Sequence, residues 1–391
     1  MITVDDARQL LFDLVRPLPV EQVGLLDAAG RVLAQDVAAT RDQPPFSASS
    51  MDGYAVKSAE VEQHAMFKVI GEAAAGHGFD GTVGPGQAVR IFTGAPLPQG
   101  ADFVVIQEDT TRQGDLITLS DDPGSKSNVR PQGIDFKTGT AISAPRILTP
   151  SDIALLASMN IPTVPVTRKP VVALIATGDE LVMPGETPGA DQIIASNTLG
   201  LRAMFQAAGA DVRLLPIARD TRAALETAFD LTAGADLIVT VGGASVGDHD
   251  LVGDVAAGLG LQRSFYKVRM RPGKPLMAGR LGDAAMVGLP GNPVSAMVCG
   301  RILVVPMLRH MLGLGAQAPH LAQAPLAHDI DGNGPREHYM RATLQDGQIS
   351  LARDQDSSLL TVLAGANALL VRAPHDPDRA KGTLVDYIAL D

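Results

Sequence analysis

The strongest chemical signal in the sequence is a cluster of cations in an otherwise acidic chain. The chain carries a formal net charge of −11, yet no acid interrupts a group of basic residues that lie close together: Lys267, Arg269, Arg271, Lys274 and Arg280. Pro272 and Pro275 restrict the backbone of this segment, and Gly273 lets another group approach it closely. Such a cluster predicts a site for phosphate or another oxyanion, the alternative being a solvated basic strand.

The residues that follow this cluster predict a helix start, which favours the same interpretation. An apolar run, Ala284–Leu289, predicts a buried strand and continues into Pro290, Gly291, Asn292 and Pro293. Asn292 is a favoured N-cap and Pro293 a favoured first helical residue. Because free N–H groups and the helix dipole attract anions, a helix N-terminus close to several cations indicates an oxyanion site.

A glycine-rich turn is the second chemical signal. Gly242, Gly243, Ser245 and Gly247 lie between a predicted strand and a predicted helix. Backbone N–H groups in such a turn can close on a phosphate, although an ordinary tight turn also uses glycine. The turn is not a Walker-type phosphate loop, because Asp248 stands where that loop requires lysine.

Carboxylates from three loops are expected at the same edge of the predicted sheet. They are Asp179, Glu180, Asp220, Asp248 and Asp250. Hard cations take oxygen ligands and often share them with substrate phosphates, so these acids predict a magnesium ion that bridges to phosphate. The alternative for Asp220 is an N-cap alone, and for Glu180 a surface charge.

Strands that alternate with helices position these loops. Apolar runs predict strands over 171–177, 211–218 and 236–242, between helices whose N-caps we assign to Asn197 and Asp220. This alternation predicts a mostly parallel sheet with helices on both faces. Ligands bind such sheets beyond the carboxyl ends of the strands, where we expect the loops 177–180, 219–220, 242–250 and 289–295.

The rest of the chain predicts helices and β domains. Thr3 and Asp6 form a capping box before a helix over 3–15, a second helical stretch covers 25–35, and Thr149 caps a helix that runs to about Met159. Short apolar runs predict a small β domain within 66–145 and another over 326–391. The predicted fold class is therefore a multidomain α/β plus β protein, with a β domain inserted in the N-terminal half and a C-terminal β domain.

Composition excludes several classes of protein. The length of 391 residues and the hydrophobic content of 46% predict several domains with real cores. The negative charge argues against a nucleic-acid-binding protein. One cysteine, Cys299, excludes an intrachain disulfide, and its place after Pro293 predicts a core residue rather than a nucleophile. We find neither a basic leader nor a segment long enough to cross a bilayer, so we expect a cytoplasmic protein without membrane contact.

Several motifs in series resemble one family, molybdopterin molybdenumtransferase, which comprises the bacterial MoeA proteins and the E domain of gephyrin. The most specific are MDGYA, TGDEL, GGxSVG, PGKP and GLPGNPVSA. The matching segments span nearly the whole chain in order: 44–56, 92–102, 128–135, 172–181, 236–250, 267–275 and 288–296.

The resemblance implies an activity and an architecture. The family inserts molybdate into adenylated molybdopterin with the help of Mg²⁺ and releases AMP, which yields molybdenum cofactor. It also implies a homodimer of four-part protomers, in which the β domain of one chain covers the α/β domain of the other. The parts expected here are a linking and dimerisation domain (1–45 and 136–169), an inserted β domain (46–135), an α/β molybdopterin-binding domain (170–316) and a C-terminal β domain (317–391). A molybdopterin-adenylating protein upstream, and molybdoenzymes or cofactor-modifying proteins downstream, are the expected partners.

The resemblance also implies roles for individual residues. By motif, the family's site residues fall on Asp52, Thr93, Glu180, Asp220, Asp250, Lys267, Lys274, Pro290 and Pro293, and its molybdate pocket on Arg271, Lys274, Ser295, Arg341 and Ser357. We expect Gly178, Asp179, Asn292 and the glycine-rich turn to contact the substrate as well, and Asp220 and Asp250 to hold Mg²⁺ directly or through water.

The chain departs from the family pattern at a few positions near these residues. Ser47, Ala48 and Ser49 replace an acid and an amide before Asp52, and Arg271 stands where lysine is usual. Leu251 replaces an aromatic residue, and Asp356 a glycine. The competing hypotheses are a pterin carrier without turnover and an interaction scaffold like gephyrin, and AMP release from the adenylated pterin would distinguish an enzyme from both.

Overall fold

The computed structural model describes residues 1–242 and 251–390. Its α-helices are α1 (Val4–Asp13), α2 (Pro150–Ser158), α3 (Asn197–Ala207), α4 (Arg222–Asp230), α5 (Leu251–Gly258), α6 (Pro293–Cys299), α7 (Val305–Met311) and α8 (Leu360–Ala364). Short 3₁₀-helices lie at Leu25–Asp27, Ser58–Glu60 and Gln107–Asp109. A π-helical segment, Gly300–Val304, joins α6 to α7 in one continuous helix.

Strands make up most of the remaining regular structure. The strands before residue 170 are β1 (Val20–Gly24), β2 (Val32–Leu33), β3 (Val37–Ala38), β4 (Ala48–Ser49), β5 (Gly53–Val56), β6 (Met66–Ala73), β7 (Gln87–Ile91), β8 (Phe103–Ile106), β9 (Thr110–Gln113), β10 (Leu116–Leu119), β11 (Val129–Arg130), β12 (Ala141–Ile142), β13 (Arg146–Ile147) and β14 (Thr163–Thr167). Those after it are β15 (Val171–Ala176), β16 (Leu181–Val182), β17 (Ile193–Ile194), β18 (Asp211–Leu214), β19 (Leu237–Val241), β20 (Gln262–Tyr266), β21 (Met270–Arg271), β22 (Met277–Leu281), β23 (Ala284–Leu289), β24 (Ala322–Pro325), β25 (Glu337–Gln345), β26 (Gln348–Leu351), β27 (Ala368–Arg372) and β28 (Leu384–Ala389).

The chain forms two compact units. One contains Met1–Glu21, Gly30–Ala34 and Val166–Asp391, and the other contains Gln22–Ala29 and Gln35–Pro165. The first unit combines the α/β region with the C-terminal strands, and the second consists largely of β-structure. The predicted fold class, α/β plus β, is thereby confirmed.

A six-stranded sheet in the order β18-β15-β19-β23-β22-β20 is the centre of the first unit. The four strands β18, β15, β19 and β23 pair in parallel, while β22 runs antiparallel to its two neighbours. Alternate side chains of one strand enter different cores, since Leu174 packs with α3 and Ile175 with α4 and α5. Helices therefore cover both faces, as the strand–helix alternation predicts.

A second sheet in this unit has the order β21-β25-β27-β28-β24, with β26 paired to β25. The short strand β21 pairs in parallel with β25, which places Arg271 opposite His338. Because β21 belongs to the cationic segment, this pairing joins that segment to the C-terminal strands.

The second unit is built on a sheet in the order β8-β5-β7-β6-β10-β9. Gly53 begins the central strand β5, and a Cβ atom at this position would lie only 2.0 Å from the carbonyl oxygen of Val105. Glycine is therefore required where β5 meets β8. The apolar runs that predict strands within 66–145 form β6, β7, β8 and β10.

Three local predictions are wrong. The stretch 25–35 is a single 3₁₀ turn followed by β2, and Gly30 breaks it with a φ of +75°. The N-cap of α3 is Ser196 rather than Asn197, which is the first helical residue. The N-cap of α4 is Thr221 rather than Asp220, because the Thr221 side chain accepts a hydrogen bond from the N–H of Ala224. The capping boxes of α1 and α2, at Thr3 and Thr149, are confirmed.

One helix is longer than the sequence analysis expects. Within the described residues, Pro293–Met311 spans 19 residues and is apolar enough to pass as a membrane span on length and composition. Its most apolar window is 72% buried inside the protein, which is how the core helix of a globular unit behaves. The helix is weak evidence for a membrane span.

This helix explains why Gly273 is a glycine. Gly273 has a φ of +105°, and a Cβ atom there would lie 2.3 Å from the Sγ atom of Cys299, which is fully buried. The group whose close approach the sequence predicts is thus the thiol of α6. The contact seats the turn that carries Lys274 directly on the core helix.

We expect Gly273→Ala to lower the free energy of unfolding by about 2–5 kcal/mol. The left-handed φ accounts for ~1–2 kcal/mol and overpacking against Cys299 for ~1–3 kcal/mol. Gly282→Ala is the matched control, because Gly282 has a φ of +59° and no atom within 4 Å of an added Cβ. Denaturant unfolding in wild-type and Cys299→Ala backgrounds separates the two terms. An identical loss in both backgrounds would show that the thiol contact contributes nothing.

Candidate functional site

A cavity of about 630 Å³ opens at the carboxyl edge of the parallel sheet in the first unit. The ends of β15, β19 and β23 contribute Thr177, Gly242 and Pro290 to its wall. The other lining residues are Ala176, Glu180, Leu181, Ile193, Ile194, Ala195, Ser196, Asn197, Thr198, Val241, Pro275, Gly291, Asn292, Pro293 and Ser358. The structure therefore brings together the ends of three predicted strands at one site.

Close backbone packing shapes the base of this cavity. The N–H of Thr177 donates to Val241 at 3.0 Å, and the N–H of Gly242 donates to Leu289 at 3.2 Å. Gly242 has a φ of +98°, and a Cβ atom there would lie 2.6 Å from the carbonyl oxygen of Thr177. The same atom would crowd the sheet edge where β15 and β19 end, so only glycine fits.

The acidic loop after β15 is folded against the loop after β18. The N–H of Asp220 donates to Oδ1 of Asp179 at 3.1 Å, and Arg219 donates to the carbonyl oxygens of Asp179 and Leu181. Glu180 folds back over Gly178, whose added Cβ would lie 2.3 Å from the Glu180 carboxylate. Asp179 thus contacts the Asp220 backbone at the sheet edge, and Asp220 leaves its exposed carboxylate free of helix capping.

The described residues alone do not form a complete metal cage. No group of three or more histidine, cysteine, aspartate or glutamate side chains among them could hold a metal ion. The exposed Asp220 carboxylate has the oxygen chemistry that Mg²⁺ requires, and this ion commonly takes only one or two protein carboxylates and completes its shell with water and substrate phosphates. Five predicted residues lie outside the described ranges: Gly243, Ser245, Gly247, Asp248 and Asp250.

The start of α6 is tied to the loop that precedes α8. Asn292 occupies the N-cap position but makes no side-chain cap; its Nδ2 donates to Oγ of Ser357 at 3.1 Å. The N–H of Val294 donates to the carbonyl oxygen of Ser357 at 3.0 Å. Pro293 begins the helix, and Ser295 is buried within its first turn. Ser357 therefore holds the helix N-terminus that borders the cavity.

Arg341 is a buried arginine whose guanidinium is only partly hydrogen-bonded. It lies on β25 with an exposed fraction of 0%, and within the described residues its Nη2 alone donates a hydrogen bond from the side chain, to the carbonyl oxygen of Asp354 at 3.2 Å. Its Nε and Nη1 are buried without a hydrogen-bond partner among the described residues. Gln355 fixes the backbone of Arg341 with two hydrogen bonds of 2.9 Å. Burial lowers the pKa of Arg341, and unpaired donors of this kind fit an anion.

Charges of both signs surround Arg341. After burial, Asp354 and Asp356 act to raise its pKa and Arg271 acts to lower it. The neighbouring His338 has a pKa lowered to about 4, first by burial and then by Arg271 and Arg341. His338 is therefore neutral at neutral pH and adds no further charge. Arg271 is exposed at the end of β21, so this cationic cluster is open to an incoming anion.

The two predicted lysines lie on the same segment as Arg271. The carbonyl oxygen of Lys274 accepts a hydrogen bond from the N–H of Val268 at 3.1 Å, which anchors the turn, and the Lys274 side chain is half-buried next to Pro275 of the cavity wall. Lys267 has a φ of +69°, and its Nζ lies 4.7 Å from the centroid of the Tyr266 ring. This cation–π contact holds Lys267 beside β20.

Asp52 and Thr93 meet in the second unit. Oδ1 of Asp52 accepts hydrogen bonds of 2.8 Å from both the N–H and the hydroxyl of Thr93. These bonds, the backbone one first, lower the pKa of Asp52. Asp102 makes a similar pair with Ser58 but uses both carboxylate oxygens. Asp52 differs, because its Oδ2 has no hydrogen-bond partner among the residues described, so it stays available to a ligand.

Sequence reasoning did not name most of the cavity wall as site residues, and two of the polar residues it left out are Asn197 and Thr177, although the loop 177–180 was expected at this edge. Asn197, predicted as a helix cap, lines the cavity, and its Nδ2 donates to the carbonyl oxygen of Gly291 at 2.7 Å. Thr177 also lines it, and its Oγ1 is buried without a hydrogen-bond partner in the described chain. The signal for Thr177 was its place directly after a buried strand, where side chains of parallel sheets meet ligands.

Comparison with known proteins agrees with this arrangement. Residues 2–160 match the model of the MoeA N-terminal region (domain I and II), residues 173–310 that of a probable molybdopterin binding domain, and residues 323–390 that of the MoeA C-terminal region (domain IV).

Individual relatives match over most of their length. A molybdopterin molybdenumtransferase of Nostoc sp. is 36% identical over 95% of this chain and 90% of its own. Another, of Haemophilus influenzae, is 38% identical over 80% of this chain and 78% of its own. Two solved structures of the MoeA protein from Pyrococcus horikoshii, with TM-scores of 0.85 and 0.84 and identities of 28% and 26%, cover all of this chain and 99% and 100% of theirs. The chain belongs to the molybdopterin molybdenumtransferase family, the MoeA proteins.

Proposed function

We propose that this protein inserts molybdate into adenylated molybdopterin and releases AMP, as a molybdenum insertase. The observation that carries the proposal is Arg341, a fully buried guanidinium with two unpaired donors beside an open cationic cluster. A tetrahedral oxyanion satisfies such donors with charge-assisted hydrogen bonds. The neighbouring cavity, at the carboxyl edge of the sheet, has a volume suited to a pterin with its phosphate.

The residues around the two subsites have separate tasks in this proposal. Arg271, Lys274 and Arg341 supply the positive charge for molybdate, while Ser295 and Ser357 border the same pocket. The N-terminus of the helix at Pro293, and the backbone around Gly242, face the substrate phosphates. Catalysis would then be mainly placement of molybdate against the dithiolene sulfurs, together with charge stabilisation at the phosphates. A molybdate oxygen or a water attacks the adenylyl phosphorus, the bond from that phosphorus to the bridging oxygen breaks, the molybdopterin phosphate is the leaving group, and AMP is released.

We propose Mg²⁺ as the cofactor, with Asp220 and Asp250 as its protein ligands. When bound, the ion neutralises charge that develops on the leaving phosphate oxygens. Asp179 holds the backbone N–H of Asp220, and so positions that carboxylate without competing for the metal. Glu180, folded against Gly178 at the cavity wall, is placed to orient a polar group of the substrate.

The proposed function is accompanied by a proposed location, assembly state and set of partner proteins. We propose a cytoplasmic homodimer, which receives its substrate from a molybdopterin-adenylating protein and passes the product to molybdoenzymes or cofactor-modifying proteins. The carrier and scaffold hypotheses are not favoured, because neither needs an oxyanion pocket beside the pterin cavity. Sedimentation of the purified chain tests the dimer directly.

The central test is turnover. Purified protein is incubated with adenylated molybdopterin, molybdate and Mg²⁺, and AMP is measured by chromatography. The pterin product is then used to reconstitute a molybdoenzyme that lacks its cofactor. AMP release that depends on molybdate, together with reconstituted activity, is expected. Tight pterin binding without AMP release would instead identify a carrier.

We expect Arg341→Met to abolish molybdate binding while leaving the unliganded protein as stable as wild type or more so. Burying a guanidinium costs desolvation energy, and replacing buried ionic groups by apolar residues of similar volume is often neutral or stabilising by about 1–4 kcal/mol. Arg372→Met is the matched control, because Arg372 is equally buried but fully paired, with Asp376 and three carbonyl oxygens. That variant should lose about 3–5 kcal/mol. Calorimetric molybdate titration and denaturant unfolding measure both effects, and retained molybdate affinity in Arg341→Met would refute the assignment.

We expect Asp220→Asn to raise the Mg²⁺ concentration needed for half-maximal AMP release, because a neutral amide replaces an anionic ligand. The helix is unaffected, since Thr221 is the cap of α4. Asp211→Asn, an exposed change at the opposite end of β18, is the control and should leave the Mg²⁺ dependence unchanged. Asp250→Asn should behave like Asp220→Asn. Equal Mg²⁺ titrations for wild type and both site variants would rule out these ligands.

A further inference from the structure

Arg90, a residue without an assigned role, lies beside the Asp52–Thr93 pair in the second unit. It occupies β7, directly opposite Tyr54 of β5 in the antiparallel register. Asp52 lies two residues before Tyr54. Thr93 lies two residues after Ile91, at which the strand of Arg90 ends. The side chain of Arg90 is therefore bracketed by the two segments that carry the pair.

The contacts of Arg90 reach both segments at once. Its guanidinium carbon lies 5.1 Å from the centroid of the Tyr54 ring and 4.8 Å from that of the Phe92 ring. Its Nη1 donates to the carbonyl oxygen of Gly53 at 3.3 Å, and its Nη2 donates to Oε1 of Gln107 at 2.5 Å. A planar guanidinium can stack on rings and donate from its edge together, which an ammonium cannot do.

Gln107 completes a path back to Asp52. Its backbone N–H donates to the carbonyl oxygen of Asp52 at 3.1 Å. Arg90 thus binds Gly53, the residue that follows Asp52. It also binds Gln107, which holds the carbonyl oxygen of Asp52. Its charge also favours the ionised form of Asp52, as the last of the effects that lower the pKa of this carboxyl.

We propose that Arg90 is a positioning residue, which fixes the Asp52 carboxylate on Thr93 so that Oδ2 faces the ligand. The proposal rests on the function proposed above only in assigning Asp52 to the reaction. The sequence alone gave no sign of this role, because Arg90 lies inside an ordinary strand and outside the motifs. Its effect is transmitted through Gly53 and Gln107 rather than through contact with substrate.

The first test observes the Asp52–Thr93 hydrogen bond itself. The amide proton of Thr93 is followed by NMR in the full-length, deuterated protein labelled with ¹⁵N-threonine, and Thr93→Ser assigns its signal. Loss of a hydrogen bond to a carboxylate moves an amide proton upfield, and Asp52→Asn provides the reference for a weakened bond. Arg90→Gln should shift the signal in the same direction. An unchanged Thr93 signal in Arg90→Gln would overturn the proposal whatever the activity.

The second test measures turnover. We expect Arg90→Gln to lower kcat for AMP release by about tenfold to a hundredfold with little change in KM, since a misplaced catalytic group loses that much. Arg90→Lys keeps the charge but cannot hold Gly53 and Gln107 together, so it should remain defective. Full activity of Arg90→Lys would show that charge alone suffices, and would overturn the positioning role.

A matched control and a separate outcome keep the two proposals distinct. Arg112→Gln removes an exposed arginine of the same sheet that donates only to the Gly114 carbonyl oxygen, and it should leave both readouts at their wild-type values. If Asp52→Asn retains full AMP release, the role of Asp52 in the reaction fails. The Thr93 signal then still decides whether Arg90 holds the pair.

Discussion

Parallel pairing of β15, β19 and β23 is the constraint on which the candidate site depends. Parallel strands end at the same edge of a sheet, so the loops that follow them must meet. Here the edge is closely packed, because a Cβ atom at Gly242 would lie 2.6 Å from the carbonyl oxygen of Thr177, and one at Gly291 would lie 3.5 Å from the Cα of Gly242. Any side chain at Gly242 would push the strand ends apart and open the base of the cavity. The shape of the cavity thus depends on close backbone packing at its base.

The second constraint is electrostatic. A chain with a net charge of −11 places Arg271 close to Arg341 and leaves part of that buried guanidinium without a hydrogen-bond partner among the described residues. Neighbouring Arg372 shows that the fold can satisfy a buried arginine when no ligand is needed, through Asp376 and nearby carbonyl oxygens. The contrast between these two arginines supports the proposal that the open donors of Arg341 bind an anion. Gln355 and Ser357 connect this charge to the start of the core helix.

Much of this arrangement could be predicted from sequence, and the failures have physical causes. Continuous apolar runs predict β15, β19 and β23, because strands buried on both faces need apolar residues at every position. Helix caps were less predictable. The Asn197 side chain donates to the carbonyl oxygen of Gly291 instead of capping, and at Asp220 the backbone N–H is bound by Asp179 while the neighbouring Thr221 caps the helix. The neutral state of His338 and the missing partners of Arg341 depend on burial between distant strands, which no local pattern reveals.

The contact between Gly273 and Cys299 allows opening of the turn to be followed through the reactivity of the protein's own cysteine. Cys299 is the chain's single cysteine, it is fully buried, and burial raises the pKa of its thiol. A thiol reagent can therefore react only when the packing around the sulfur opens, and the turn that carries Lys274 is one of the segments that cover it. The labelling rate of the unmodified protein consequently reports openings of this packing, without an engineered probe. A ligand that binds Lys274 and keeps the turn closed lowers the labelling rate. The ratio of the rates without and with the ligand then gives the free energy by which the ligand stabilises the closed turn.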